Sequence, residues 1–168
     1  LNAYTRQQEA GVTLTAEDLY INAKAAFGYN YIDANLDVTH DNDSQGEHGS
    51  HDTGIAAANA YNQNADGTFS NALSAVKAQG VAPDVQIITM KVFGETGGAY
   101  DSDYMAAIED AIILGCDSVN LSLGSGSSGF SFNATYADLL SSLQETDTVV
   151  TISAGNSYAW DYSADHDL

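Results

Sequence analysis

Between residues 85 and 153 the chain alternates short β-branched runs with helical stretches, and that order leaves few folds open. Val85 to Val92 (Val-Gln-Ile-Ile-Thr-Met-Lys-Val) reads as a strand. Ser102 to Leu114 sets Met105, Ile108 and Ile112 on one stripe, the spacing of an amphipathic helix, and Gly115 stops it. Ser118 to Leu123 reads as a strand, Thr135 to Gln144 as a helix and Thr148 to Ser153 as a strand. Strands separated by helices do not pair as hairpins. The pattern therefore predicts an α/β fold, a parallel sheet with right-handed crossovers and helices on both faces.

The first half is less regular. Thr15-Ala16-Glu17-Asp18 reads as the capped start of a helix through Ala26. Tyr29 to Ile32 reads as a short strand ahead of an Asp/Asn-rich loop, and residues 48–60 as a helix interrupted at Gly49. Asn62 to Phe69 carries turn chemistry, and Ser70 to Ala78 reads as a short helix closed by Gly80. No repeat or linker divides the chain, so residues 1–168 read as one domain.

Charge narrows the partners. The 168 residues hold 23 acidic against 4 basic side chains, a formal net charge of -19. Such a surface repels phosphate backbones and anionic lipid, which argues against nucleic-acid and membrane partners. No apolar run approaches the roughly 18 residues of a membrane span. Cys116 is the single cysteine, so the chain holds no internal disulfide. With neither a signal-peptide pattern nor an initiating methionine, the expectation is a segment of a longer protein.

The densest chemistry is Glu47-His48-Gly49-Ser50-His51-Asp52-Thr53-Gly54. An imidazole at the first turn of a helix, followed by glycine, lets a substrate or another backbone approach it. With an ordinary pKa near 6.5 it can take a proton from a hydroxyl and return it to a leaving amine. His51, one turn on, is expected to point into the helix packing. Two structural histidines remain an equal reading of the spacing alone. His48-x-x-His51 lacks a third zinc ligand at a familiar spacing, so no metal site is assigned. Asp52-Thr53-Gly54 spells an aspartic-peptidase loop but follows a helix, not an apolar strand. Gly124 to Gly129 spells G-x-G-x-x-G, yet Phe130 to Asn133 intervenes before the helix that a dinucleotide site needs. Asp41-Asn42-Asp43 and Asn62 to Gly67 have oxygen ligands at alternate positions without a closing glutamate, so calcium stays open only as a structural ion.

In order along the chain, Gly46 to Ala57 resembles the histidine motif G-H-G-T-H-V-A-G of subtilisin-like serine peptidases. Gly80-Val81-Ala82-Pro83 resembles their G-V-A-P segment, Asp117 to Gly124 the strand lining their substrate cleft, and Val149 to Ser157 the segment ending in the oxyanion-hole asparagine. The acidic character and the lead-in from Tyr29 to Asp43 are most similar to the cell-envelope proteinase branch. The resemblance implies a subtilisin-like domain, incomplete in this chain, secreted or attached to the cell surface, acting on proteins or peptides without a required cofactor.

Under the same resemblance His48 is the general base and Asn156 an oxyanion donor. Ser122, Leu123 and Gly124 form one edge of the cleft, and Gly97, Gly98 and Ala99 the other. Asp52 departs from the family, which has a small apolar residue there. No apolar strand ending in Asp-Ser/Thr-Gly precedes His48, and no G-T-S-M-A follows Asn156. The triad aspartate and serine are accordingly assigned to no residue, and the segment by itself is expected to be inactive and open to self-association through exposed strand edges. The alternative is a non-catalytic module that binds extended peptides in the same cleft.

Overall fold

The structure is a computed structural model that describes residues 1–41, 43, 45–76, 78–95, 98–124 and 134–153, with the backbone alone described for 134–136. The elements in chain order are α1 (Asn2–Glu9), α2 (Ala16–Leu19), β1 (Ala25–Asn30), α3 (His48–Ala57), β2 (Tyr61–Gln63), β3 (Phe69–Asn71), β4 (Ile87–Lys91), α4 (Asp101–Ile113), β5 (Ser118–Leu121), α5 (Ala134–Gln144) and β6 (Val149–Ile152). They fall into two compact units, Ala3–Tyr100 and Asp101–Leu168 together with Leu1 and Asn2.

In the first unit β1 and β4 pair in parallel, with Phe27 opposite Ile88, Tyr29 opposite Met90 and Asn30 opposite Lys91. Phe27 through Asn30 are all buried, as a strand covered on both faces requires. Tyr29 and Tyr31 are fully buried and meet edge to face, with ring centroids 4.9 Å apart. The strand thus begins earlier than the expected 29–32. The expected helix through Ala26 stops at Leu19, because the Asn22 side-chain oxygen accepts the Lys24 and Ala25 N–H groups at 2.9 Å and turns the chain into β1. The capped start itself is present: Asp18 accepts the Thr15 N–H and hydroxyl, both at 2.7 Å.

A second departure lies at residues 61–78. Tyr61 to Gln63 pairs antiparallel with Phe69 to Asn71 around a turn in which Gly67 has φ +82. Asp66 accepts the Thr68 hydroxyl and N–H at 2.6 and 3.0 Å, and these bonds hold its carboxyl below the usual range. Residues expected to open a helix at Ser70 are therefore taken by the hairpin, and the chain continues as a turn.

The Gly80-Val81-Ala82 segment caps α3. Its N–H groups donate to the carbonyls of Ala58 at 2.9 Å, Ile55 at 3.0 Å and Ala56 at 2.9 Å. These are last-turn carbonyls that α3 leaves without a partner of its own. Gly80 is buried, and a Cβ there would stand 2.4 Å from the Ala58 nitrogen.

The second unit follows the expected pattern closely. Along α4, Met105 and Ile108 are buried and Ile112 half-buried. The helix ends in a Schellman turn: Gly115, at φ +73, donates to Ile112, and Cys116 donates to Ala111, both at 3.0 Å. α4 packs against α5. β5 and β6 pair in parallel, in register from Ser118 opposite Val149 to Leu121 opposite Ile152, with α5 between them in sequence. Asp110 is fully buried and accepts the Asn2 N–H at 2.6 Å.

The described basic side chains are turned to backbone oxygen. Arg6 donates to the Tyr31 carbonyl at 2.5 Å, with its guanidinium 5.8 Å from that ring's centroid. Lys24 donates to the carbonyls of Pro83 and Val85 at 2.7 and 2.6 Å. Lys91 donates to the Thr39 carbonyl and the Asp43 carboxylate, both at 2.6 Å. So little is left to offset the acidic exterior that self-repulsion should oppose folding at low ionic strength. The thermal midpoint is expected to rise between about 10 and 150 mM salt, as the Debye length shrinks from about 30 to 8 Å. A midpoint that is flat or falls over that range, followed by calorimetry, contradicts this.

Candidate active site

The chain reaches His48 through a loop made of side-chain turns. Asn35 accepts the Asp37 N–H at 2.8 Å, and Asp37 accepts the Thr39 N–H and hydroxyl at 3.0 and 2.6 Å. Asp43 accepts the Gln45 N–H at 2.9 Å. Gly46 then takes φ +54, a left-handed turn that favours glycine, and α3 begins two residues later. The His48 N–H donates to the Gln45 carbonyl at 3.3 Å.

At this position the His48 side chain is half exposed, at 50%, and its Nε2 lies 3.7 Å from Asp52 Oδ2, one helical turn on. Asp52 also lies 3.8 Å from His51 Nδ1. The His51 side chain is 73% exposed, so it faces solvent and not the helix packing expected for it. Asp52 is 25% exposed, and its Oδ2 is buried with no hydrogen-bond partner among the described residues. The charge that departs from the family pattern is thus directed along the helix towards the two imidazoles.

Lys91 and Asp43 form an ion pair at 2.6 Å whose side chains are only 9% and 10% exposed. Burial pushes the Asp43 carboxyl up, but the hydrogen bond and charge of Lys91, with the N–H groups of Gln45 and Gly46, outweigh it and hold the carboxyl below its usual range. Sequence reasoning passes over Lys91, although a lysine at the end of an apolar strand, in a chain with 4 basic residues, is a signal. In the calcium-like stretches, Asp43 is committed to Lys91 and Asp66 to Thr68. Among the described residues no group of three or more His, Cys, Asp or Glu is arranged to hold a metal ion.

Of the expected cleft residues in this unit, Gly98 is exposed with no atom within 4 Å of where a Cβ would be, and Ala99 is half-buried. Gly97 lies outside the described residues. In the other unit Ser122 and Leu123 are half-buried and Gly124 is exposed, continuing directly from β5. The β5–β6 pairing brings this stretch beside Ser153, whose N–H donates to the Leu121 carbonyl and whose hydroxyl donates to the Leu123 carbonyl, both at 3.1 Å. Asn156 lies outside the described residues. The Cys116 thiol is pushed up by burial and by the neighbouring Asp117 charge, which makes it a poor nucleophile.

Comparison with known proteins supplies what one chain cannot. The model of the family described as "Subtilase family" matches residues 9–166. The chain is 36% identical over 141 residues to a PI-type proteinase of Lactococcus lactis subsp. cremoris, covering 82% of this chain and 7% of that protein. It is 33% identical over 121 residues to the minor extracellular protease Vpr of Bacillus subtilis (strain 168), covering 69% of this chain and 13% of that one. It is 32% identical over 116 residues to a thermophilic serine proteinase of Bacillus sp. (strain AK1), covering 69% and 24%. The chain therefore spans a small part of the length of the relatives it matches.

Proposed function

Because the chain belongs to the subtilase family of peptidases, we propose that the protein of which it forms part is a serine endopeptidase, with His48 as general base and Asn156 as oxyanion donor. The observation that carries this reading is the placement of His48: half exposed at the first turn of α3, behind a left-handed Gly46, inside a family match running from residue 9 to 166.

His48 takes the proton of the attacking serine and later delivers it to the leaving amine. The Asn156 amide donates to the oxyanion of the tetrahedral intermediate, a contribution of about 2.7–4 kcal/mol to the barrier. Ser122, Leu123 and Gly124, and Gly97, Gly98 and Ala99, are the stretches proposed to bind an extended peptide. Its main chain gives affinity and its side chains specificity. No cofactor takes part in these steps, and residues 1–168 contribute one incomplete catalytic domain. The names of the relatives, one of them an extracellular protease, support a protein that is secreted or attached at the cell surface.

A second reading draws on Asp52, a carboxylate beside the base where the family has an apolar residue. It is a peptide-binding module without chemistry. The two separate in one experiment: the full-length protein is treated with a fluorophosphonate, which traps a serine activated by a histidine base. Stoichiometric labelling is expected. A folded, unlabelled protein that still binds extended peptides would establish the second reading and end the first.

A further inference from the structure

We propose that Lys91 is a positioning residue for the general base, holding the loop that delivers His48 through a relay of hydrogen bonds. The inference rests on the reading of His48 as that base. Lys91 sits at the last position of β4, opposite Asn30 of β1, and its carbonyl accepts the Tyr31 N–H at 2.8 Å. Its backbone is therefore fixed by the sheet. Its ammonium reaches sideways to the Thr39 carbonyl and Asp43, on the loop leading to α3. From there the bonds continue: Asp43 takes the N–H groups of Gln45 and Gly46, and the Gln45 carbonyl takes the N–H of His48.

Strand packing does not call for a lysine here. A buried ion pair is dear to desolvate, and an apolar residue of similar length would pack as well. What the ammonium adds is geometry. The loop has few apolar anchors of its own; Leu36 is 44% exposed. Its N-terminal part is held by Asn30, whose amide donates to Asp33 and to the Asp37 carbonyl at 2.9 Å. Beyond Asp37, Val38 lies beside Gly28 of β1, its Cγ1 3.5 Å from where a Cβ there would stand, and Lys91 adds a polar tie to the sheet in the stretch that ends at His48. A base displaced by about 1 Å loses about 10²-fold in rate without loss of substrate affinity.

The test uses the full-length protein and a peptide substrate. Lys91→Met should lower kcat about 10²-fold with KM within about twofold, and Lys91→Arg, which keeps charge and donors, should recover part of kcat. Lys24→Met is the control: Lys24 also bridges two segments, Lys24 itself and the Pro83–Val85 carbonyls, but away from the His48 loop. It should lower the thermal midpoint and leave kcat alone. If Lys91→Met behaves as Lys24→Met does, Lys91 is merely structural and the proposal is overturned. Should Lys91→Met fail to fold, Asp43→Asn replaces it; the same selective fall in kcat is expected, and an unchanged kcat overturns the proposal. A wild-type protein that neither hydrolyses peptide nor takes the phosphonate removes the general base itself, an outcome distinct from an active wild type indifferent to Lys91.

Discussion

His48→Ala in the full-length protein is expected to lower kcat by about 10⁶-fold, the magnitude known for loss of the equivalent base in a related peptidase, and to abolish phosphonate labelling. The serine hydroxyl is a weak nucleophile at neutral pH, so removing the proton acceptor leaves only the oxyanion donor and substrate binding, about 10³-fold over water. The side chain is half exposed, and among the described residues its ionic neighbour is Asp52 at 3.7 Å. Stability should accordingly change by no more than about 0.5 kcal/mol, as for surface substitutions generally. His51→Ala is the companion measurement. With 73% of its side chain exposed and no place in the proposed chemistry, its loss should leave kcat within a few-fold. If His51→Ala and His48→Ala fall together, or only His51→Ala falls, the assignment of the base is wrong.

Gly80→Ala is expected to destabilise the protein by about 3 kcal/mol, at the upper end for overpacking a filled site. The added methyl would stand 2.4 Å from the Ala58 nitrogen, 2.6 Å from the Ala57 nitrogen and 2.8 Å from the Ala57 carbonyl carbon. These are backbone atoms at the end of α3 and cannot rotate aside, so segment and helix must part. Parting them weakens the bonds from Gly80, Val81 and Ala82 to the carbonyls of Ala58, Ile55 and Ala56, each a net contribution of about 1 kcal/mol. Urea unfolding of wild type and variant measures it. A midpoint unchanged within error would mean that the segment does not dock on α3 in solution.

Gly80 shows what kind of information the sequence held. As a letter in Gly-Val-Ala-Pro it resembled a family segment, while the physical need for glycine, a close approach to a helix end, is a tertiary fact. The second half of the chain was readable because its signals are local and strong. Met105, Ile108 and Ile112 give α4 its period, and Gly115 terminates it by a left-handed turn that few other residues adopt. The first half misled where pairing partners overrode propensity. Ala25 and Gly28 are poor strand formers, yet both belong to β1 because β4 pairs beside them. Ser70 and Asn71 are taken from the expected helix by pairing with Asn62 and Tyr61 across a turn whose own residues were recognised. At the proposed site, His48 is singled out by the motif around it. The outward direction of His51 was not, since a periodic helix pattern says nothing of which neighbours cover it. Lys91 and Asp43 meet across 48 residues of sequence, and no local pattern announces such a pair.

That separation bears on how the site comes into being during folding. A contact between residues 48 apart forms only after the chain has met the loop-closure cost of bringing β4 beside β1. Lys91 arrives with its strand, so its tie to the loop carrying His48 forms only once β4 has paired with β1. A newly made chain has its histidine from the start, but on the proposal above the base would gain its bearing only when a long-range event is complete. In the serine endopeptidase proposed above, whose unfolded copies would be substrates for its folded ones, this order would tie the onset of cleaving ability to the loss of susceptibility to it.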